Sequence, residues 1–361
     1  MNRISRYILS IFLPCAGLCA CSSAVTTDRG TPTFVPGEYH AYGDSITHGS
    51  SLSDPATQAY PALVASQEKV PFVNYALSGD QACDVATRQI FAHKDSPSVT
   101  SPTEYSLLIG TNDVDVKGAG PYEAVFQTCF NAAVSWLAIP DVFKVLATSN
   151  QILTTGAGGI DSSNNWNAWT TAGQGATVSF PVTLAATGPI YAWSRISDNN
   201  PASYSYSLDG TVIGTANTQT APRIATENGS TNSLSFLRFP VVAAGTHRVT
   251  FTQTSEGTNG VSIVGIGTPV GFTANSWPRV LVGTIPYQYN SGKCTASSDE
   301  PCLEYIQDIE ASVNLFSGDG LDVRLFDTRQ YMFGTASEMN DSLHPDALGQ
   351  VELSHSVEAS W

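Results

Sequence analysis

The sequence predicts an α/β fold in which an all-β segment interrupts a parallel sheet. Strand-like and helix-like patterns alternate before about residue 140 and again after about residue 275. Between these limits Thr, Ser, Gly and Asn become frequent, helical periodicity disappears, and short alternating strands take its place. Alternating strands and helices are typical of a parallel sheet with helices on both faces. Many short strands without helices are typical of a β-sandwich or a jelly roll.

The first part of the α/β pattern, residues 37–140, contains three predicted strands and two predicted helices. We expect the strands at residues 39–42, 72–76 and 105–109. Tyr60, Leu63 and Val64 lie at helical spacing. Residues 122–137 show a clear amphipathic pattern, with their apolar residues on one helical face.

The all-β segment, residues 141–275, contains about seven predicted strands. Asp209-Gly210 lies between two of them and is a strong signal for a hairpin turn. The upstream limit stays open, because residues 144–147 could instead form the fourth strand of the parallel sheet. The seven strands are expected at residues 177–182, 190–196, 204–208, 211–213, 234–239, 248–252 and 261–266.

The α/β pattern resumes in residues 276–361. We expect a buried strand at 280–285 and a last strand at 323–326. Pro345 is expected to open a final helix at its first turn. Between the strands, five apolar residues at helical spacing predict another helix: Leu303, Ile306, Ile309, Val313 and Phe316.

Composition and charge narrow the function classes. The chain has 361 residues, of which 42% are hydrophobic and 13% charged, so it can bury a substantial core and wholesale disorder is excluded. The formal net charge is −15 and no Lys/Arg cluster interrupts it. Binding to nucleic acid or to an anionic membrane surface is therefore disfavoured.

The N-terminus is typical of an exported bacterial protein. Arg3 and Arg6 precede an apolar run, residues 7–18, that is too short to span a bilayer. The sequence Leu18-Cys19-Ala20-Cys21 resembles a lipobox, which predicts a signal peptide at residues 1–21, lipidation of Cys21 and a linker at residues 22–36. The expected location is the bacterial cell envelope, where the lipid on Cys21 would be the protein's only attachment to the membrane. An ordinary cleaved signal peptide is the alternative and predicts a secreted protein.

Four of the seven cysteines lie beyond the signal, an even number in an exported chain. Cys294 and Cys302 are close together in a Ser- and Asp-containing loop, so a bridge there would leave Cys83 with Cys129. None has zinc-type spacing with histidine, and the sequence therefore predicts disulfides and no metal site.

Chemistry-bearing residues follow the predicted strands. The carboxyl ends of parallel strands converge on one crevice, where ligands bind in open sheets. Acyl transfer from an ester needs a nucleophile, a base, a group that orients the base, and donors for the developing oxyanion. Four blocks supply these residue types: Gly43-Asp44-Ser45, the block that ends at Gly79, Gly110-Thr111-Asn112-Asp113, and Asp341-Ser342-Leu343-His344.

In this order the four blocks resemble the signature of SGNH (GDSL-type) hydrolases. The resemblance covers residues 36–140 and 275–361, not the all-β segment, and it implies a three-layer, flavodoxin-like α/β/α sheet. It implies Ser45 as nucleophile, His344 as base and Asp341 as the group that orients His344. It also implies an oxyanion hole from the backbone N–H groups of Ser45 and Gly79 and the side-chain amide of Asn112. No metal or organic cofactor is expected.

Each residue also has a structural interpretation. Ser45 and Asp341 could cap helices, and Gly79 and Asn112 could be turn residues. Those interpretations must explain four coincidences at once, so catalysis is favoured. His48 is expected to be partly exposed beside Ser45, and His355 to be structural or solvated. The remaining three histidines have no visible partner in the sequence: His40, His93 and His247.

The substrate is expected to be an ester, with an acylated polysaccharide favoured by the exported context and the all-β segment. A carbohydrate O-acyl (acetyl) esterase is therefore the leading hypothesis, and acyl transfer to a sugar acceptor is open. The alternatives are a broad carboxylesterase or lysophospholipase, and a non-catalytic carbohydrate-binding lipoprotein. The oligomeric state is open. Six aromatic residues of the segment could bind sugar rings or form its core: Trp166, Trp169, Tyr191, Trp193, Tyr204 and Tyr206.

Overall fold

The computed structural model describes residues 36–94, 97–98, 102–199, 201–256, 260–270 and 278–361. The predicted signal peptide, the lipidation site Cys21 and nearly all of the predicted linker lie outside these ranges. Within them, no helix is both long and apolar enough to cross a membrane. All the described residues belong to a single compact unit.

The described ranges contain sixteen strands and eight α-helices. A π-helical segment, Val85–Ile90, follows α4. The helices are α1 Ser45–His48, α2 Pro55–Gln58, α3 Tyr60–Glu68, α4 Ala82–Asp84, α5 Thr111–Lys117, α6 Glu123–Ala138, α7 Cys302–Gly318 and α8 Ala347–Glu358. The strands are β1 Glu38–Gly43, β2 Phe72–Asn74, β3 Thr103–Leu108, β4 Lys144–Leu146, β5 Leu153–Thr155, β6 Gly158–Asp161, β7 Ala168–Thr171, β8 Thr177–Leu184, β9 Tyr191–Ser197, β10 Ser203–Leu208, β11 Thr211–Asn217, β12 Asn232–Arg238, β13 Gly245–Gln253, β14 Ser262–Gly267, β15 Arg279–Gly283 and β16 Val323–Phe326.

Five strands form the parallel sheet, in the order β16-β15-β3-β1-β2. Counted along the sheet's own strands, this order is 2-1-3-4-5, as in flavodoxin-like folds. The direction of winding reverses between β1 and β3, and ligands bind in open α/β sheets outside the carboxyl ends of the strands at such a point. The loops after β1, β2 and β3 therefore form the expected site.

Helices cover both faces of the parallel sheet, as the sequence predicts. On one face, α6 and α7 share a core with β3 and β15. On the other face, α3 and α8 pack on β1 and β16. Residues from this second core include Tyr39, Ala41, Tyr60, Val64, Leu281, Phe326, Leu353 and Val357.

The segment between α6 and β15 forms two antiparallel sheets. Their strand orders are β11-β10-β13-β8-β5 and β12-β9-β14-β7-β6. Side chains of both sheets meet in one core, so the architecture is a β-sandwich. The hairpin predicted at Asp209-Gly210 joins β10 to β11, and both turn residues have positive φ, as tight hairpin turns require.

One sheet of the sandwich packs on helix α6. Trp193 of β9 is fully buried, and its indole N–H donates to Ser135 Oγ at 2.9 Å. Its ring lies 5.0 Å from the Trp136 ring, edge to face. Tyr191 and Phe236 belong to the same hydrophobic core as α6 and α7. The sandwich and the parallel sheet therefore share α6 as a common layer.

Three details differ from the sequence expectations. The alternative that residues 144–147 form the fourth parallel strand is wrong, because β4 pairs antiparallel with β14. Strands β5, β6 and β7 were not expected, since each has only three or four residues and lacks a clear apolar alternation. Helix α8 does not begin at Pro345: the Asp346 side chain caps it by accepting hydrogen bonds from the Leu348 and Gly349 N–H groups.

Both expected disulfides are confirmed, one between Cys83 and Cys129 and one between Cys294 and Cys302. The first links the loop after β2 to α6. The second closes the loop that leads from β15 into α7.

Candidate active site

Ser45 lies at the carboxyl end of β1, as the first residue of the short helix α1. The preceding Asp44 caps this helix, and its Oδ1 accepts a hydrogen bond from the Ile46 N–H at 2.9 Å. A side chain at Gly43 would overlap the carbonyl of Leu108 and the side chain of Thr47, so glycine is required there. These contacts fix the backbone that carries Ser45.

His344 connects Ser45 to Asp341. Its Nε2 lies 2.9 Å from Ser45 Oγ, and its Nδ1 lies 2.9 Å from Asp341 Oδ2. Because the carboxylate accepts at Nδ1, that nitrogen carries the proton, and Nε2 is free to accept the proton of the Ser45 hydroxyl. The three residues of the predicted triad are therefore linked by two successive hydrogen bonds.

The Asp341 carboxylate is held by its own loop. Its Oδ1 accepts hydrogen bonds from the backbone N–H groups of Leu343 and His344, at 2.8 and 2.7 Å. Partial burial by itself raises the pKa of Asp341, but these hydrogen bonds and the His344 ring outweigh it and lower the pKa below its usual value. Asp341 is therefore ionised, as orientation of a histidine requires. It is not the cap of α8, which is Asp346.

The other residues of the predicted oxyanion hole lie on the neighbouring strand ends. Gly79 follows β2 and has a φ of 79°, in the left-handed region that favours glycine. Asn112 lies in the first turn of α5, after β3, and is buried. Its Nδ2 donates to the backbone carbonyl of Asp80 at 2.9 Å. An amide nitrogen has two N–H groups, so this bond orients the side chain and leaves one N–H for another acceptor.

Asp80, which no motif indicated, joins the loops of this site. Its Oδ2 accepts from Gln89 Nε2 at 2.8 Å, and its Oδ1 contacts Arg88 Nη1. The Gln89 amide also bonds both the N–H and the carbonyl of Gly43, at 3.1 and 2.8 Å. One side chain thus links the segment before Ser45 to the segment after Gly79. No regular spacing in the sequence marks such a contact.

The β-sandwich reaches the same loop. Asn228 donates from Nδ2 to Asp80 Oδ1 at 2.8 Å. A side chain at Gly79 would come within 3.4 Å of Asn228. The preceding backbone is fixed by Asp198, which accepts from the N–H groups of Ile224 and Ala225 at 2.6 and 2.9 Å. The sandwich therefore forms one wall beside Gly79.

Three of the buried carboxyl groups near the site have raised pKa values. Burial raises the pKa of Asp44 and of Asp80 to about 7 and that of Asp113 to about 8. Asp113 Oδ2 accepts from the Ala82 N–H at 3.0 Å, which ties α5 to the loop after β2. Each of the three carboxyl groups accepts from backbone or amide N–H groups of the loops around Ser45, so their role is to position those loops.

The other histidines are peripheral to the triad. His48 is exposed and contacts Ser50 Oγ at 3.1 Å, and His355 is paired with Glu352 at 3.3 Å. The remaining three histidines, for which the sequence shows no visible partner, each have one in the structure. His40 lies 3.1 Å from Glu38, His93 stacks on Tyr75, and His247 bonds Asp209 at 2.7 Å.

The six aromatic residues singled out in the sandwich segment pack into hydrophobic cores. Trp166, Tyr191, Trp193 and Tyr204 are buried, and Trp169 and Tyr206 are half-buried. They contact α6, α7 or the sandwich interior. Of the two interpretations for these six residues, packing is therefore the one that the structure favours. No cluster of three or more His, Cys, Asp or Glu side chains in the described ranges could hold a metal ion.

No family model matches the sequence, and no curated protein matches it either. Among solved structures, the chain is similar to a two-domain esterase active on acetylated mannans, with a TM-score of 0.35, 11% identity, and coverage of 64% of this chain and 90% of that one. It is similar to a member of the lipolytic G-D-S-L family from Veillonella parvula, with a TM-score of 0.39, 10% identity, and coverage of 89% and 96%. A family 35 carbohydrate-binding module from Clostridium thermocellum matches 34% of this chain and 95% of its own, with a TM-score of 0.26 and 9% identity. Likenesses this distant do not establish the function of this chain.

Proposed function

We propose that the chain is a serine esterase of the SGNH type that hydrolyses carboxylic esters through an acyl-enzyme. One observation carries the proposal: His344 bridges Ser45 Oγ and Asp341 Oδ2, with 2.9 Å on each side. A serine hydroxyl is a weak nucleophile unless a positioned base takes its proton. This geometry provides such a base at the switch point of the sheet.

In the proposed reaction, Ser45 Oγ attacks the acyl carbonyl while His344 Nε2 accepts the hydroxyl proton. The imidazolium that forms is stabilised by Asp341 and gives the proton to the leaving alcohol oxygen. Water then attacks the acyl-enzyme, with His344 again as base, and releases the acid and free Ser45. No step requires a cofactor.

The oxyanion would form among three donors, namely the N–H groups of Ser45 and Gly79 and the free N–H of the Asn112 amide. Support comes from their placement at the ends of β1, β2 and β3, which are adjacent in the sheet. Donors that are fixed before the reaction need no reorganisation as charge develops. Asp80 and Gln89 provide that fixation.

An acylated carbohydrate is the substrate that we favour, for an enzyme exported to the cell envelope and anchored through Cys21. The two disulfides support export, because disulfides persist in oxidising compartments. We further propose the division into hydrolase parts at 37–140 and 276–361 and an insert at 141–275.

Replacement of Cys21 by Ser tests the anchor: the protein should move from the membrane fraction to the soluble fraction, and retention in the membrane would contradict it.

Covalent labelling tests the nucleophile directly. A fluorophosphonate should label the wild-type protein once, and mass spectrometry should place the label on the peptide that contains Ser45. Ser45→Ala should not be labelled, and His344→Ala should be labelled far more slowly. Heat-denatured protein is the control. Labelling of another residue, or equal labelling of Ser45→Ala, would overturn the proposed mechanism.

A further inference from the structure

A cavity of about 580 Å³ lies among the loops that follow β15 and β16. This volume falls in the range of small-molecule binding sites. The cavity is formed by two segments, residues 288–298 and residues 333–334. Its lining includes Gln288, Tyr289, Asn290, Ala296 and Phe333.

The cavity adjoins the catalytic loop. The Tyr289 N–H donates to the carbonyl of Ser342 at 2.9 Å, and Ser342 lies between Asp341 and His344 in the chain. On the other side, Lys293 Nζ donates at 2.8 Å to the carbonyl of Asp115, in the helix that carries Asn112. The segment of residues 288–298 therefore extends from α5, which carries Asn112, to the loop that carries Asp341 and His344.

Both segments are held in place before any ligand arrives. Glu338 is buried, and its carboxylate accepts hydrogen bonds from the Phe333 and Thr335 N–H groups, at 3.2 and 2.8 Å. Gly334 has a φ of 66°, and a side chain there would come within 2.9 Å of Tyr287. The close approach at Gly334 packs one segment against the other. A fixed cavity binds a ligand at a smaller entropic cost.

The lining combines aromatic rings with neutral polar groups. Phe333 is 59% exposed, and the half-buried Tyr289 offers a second ring. The polar lining side chains bear neutral hydroxyl and amide groups, and no lining residue is charged. The nearest lysine in the loop, Lys293, is paired with Asp115 at 3.4 Å.

We propose that this cavity is the subsite for the alcohol part of the ester and that it takes a neutral sugar ring. The proposal rests on the esterase function above. A pyranose has apolar faces that pack on aromatic rings and a rim of hydroxyls that bond amides and hydroxyls. A phosphate-bearing lipid or an acidic sugar would need a cation for charge-assisted bonds, which the lining does not offer. His344 returns its proton to the leaving alcohol, so the leaving group lies on the side of the triad loop.

Kinetics on two substrates test this subsite. We compare p-nitrophenyl acetate with a panel of chemically acetylated cello-, xylo- and manno-oligosaccharides. Phe333→Ala should raise KM for an acetylated oligosaccharide and lower the ratio of its kcat/KM to that of p-nitrophenyl acetate about tenfold. Phe333→Trp keeps an aromatic ring and should have a ratio close to that of the wild type. Ala296→Trp, which fills the cavity, should lower the same ratio at least as much.

Matched controls lie on the sandwich. Leu153→Ala removes a comparably exposed apolar side chain, and Ala186→Trp adds a ring at an exposed bend. Both should keep the wild-type ratio. An unchanged ratio in Phe333→Ala and Ala296→Trp would overturn the subsite, as would wild-type activity on p-nitrophenyl acetate with none on any oligosaccharide. A wild type inactive on every ester would overturn the esterase and the subsite together.

Discussion

Ser45, His344 and Asp341 come from opposite ends of the described chain and meet in one hydrogen-bonded line. Their roles follow from what each atom can do at the observed distance. Asp341 can only accept, so it fixes the proton on Nδ1 of His344. Nε2 then faces the Ser45 hydroxyl as an acceptor. The geometry thus assigns the direction of proton movement within the proposed mechanism.

Asp341→Asn tests that direction. An amide at this position can present an N–H to Nδ1 and favour the wrong tautomer of His344. We expect kcat for p-nitrophenyl acetate to fall on the order of 10³-fold, with a small change in KM. Asp346→Asn is the matched control, because Asn is as good a helix cap as Asp. Near-normal kcat in Asp341→Asn would contradict the role of Asp341.

Asn112→Ala tests the oxyanion hole. Removal of one preorganised donor should lower kcat on the order of 10²-fold, because the amide acts mainly on the charge that develops in the transition state. Steady-state kinetics at saturating ester measure it. A rise in KM with unchanged kcat would show that Asn112 binds the ground state instead.

The sequence could predict that Ser45, Asp341 and His344 come together, because they lie in short motifs after recognisable strands. It could not find Asp80 or Gln89, although they hold the same loops together. Their contacts join residues in three dimensions at no regular spacing, and a buried Asp or Gln has no sequence signature of its own. The partner Asn228 lies still further away, in the sandwich.

At the scale of elements, the loop after β2 connects the α/β part to the sandwich. It carries Gly79 and Asp80, receives Asn228 from the sandwich, and continues into α4, which is disulfide-bonded to α6. Ser233 at the start of β12 donates to the carbonyl of Cys83 at 2.8 Å. The sandwich therefore braces the segment that carries Gly79, a donor of the proposed oxyanion hole.

Asp80→Asn tests this bracing. The new NH₂ group would face either the amide N–H of Gln89 or the N–H groups of Arg88 and Asn228. Two donors cannot bond each other, so at least one hydrogen bond is lost. We expect the free energy of unfolding to fall by about 1–3 kcal/mol and kcat to fall more than KM changes. Urea denaturation and ester kinetics measure the two effects. Thr215→Ala, at an exposed position of the outer strand β11, is the control. A stability loss with unaltered kcat would show that Asp80 has no part in positioning the site.

Element boundaries also show where sequence reasoning stops. Pro345 is a reasonable first residue of a helix, but the backbone turns one residue later, where Asp346 accepts two N–H groups. Both residues suit a helix start, and only tertiary contacts decide between them. Strand β4 is a similar case: its pattern fits either sheet, and its pairing with β14 depends on where the chain leaves α6.

At the scale of the whole molecule, buried carboxyl groups couple stability to pH. Burial raises the pKa of Asp44 and Asp80 to about 7 and that of Glu104 and Asp113 to about 8. In the unfolded chain such groups ionise at about pH 4. From about pH 4 to pH 8 the folded state therefore keeps protons that the unfolded state has lost, and the free energy of unfolding falls as the pH rises.

Urea denaturation at pH 5, 6.5 and 8 measures this dependence. The midpoint should be highest at pH 5 and lowest at pH 8. Glu104→Gln removes one of the titrating groups and should flatten the dependence. A midpoint that rises from pH 5 to pH 8 would contradict the assignment of these carboxyls.

The parallel sheet with helices on both faces was predictable, because alternating strand and helix patterns specify that architecture. The sandwich was predictable as a class from its short strands. Its packing on α6 was not, since apolar residues such as Trp193 and Tyr191 fit a sandwich interior as well as an interface. The candidate site divides in the same way: its motif residues were predictable, and the cavity of the proposed subsite was not.

The most direct test of the proposed triad is the hydrolysis of p-nitrophenyl acetate by the protein that begins at Ser22, beside Ser45→Ala, His344→Ala and the control His355→Ala. The proposal predicts activity in the wild type and in His355→Ala, and a loss of at least about 10³-fold in each of the other two. Equal rates in all four proteins, or an inactive wild type, would contradict it.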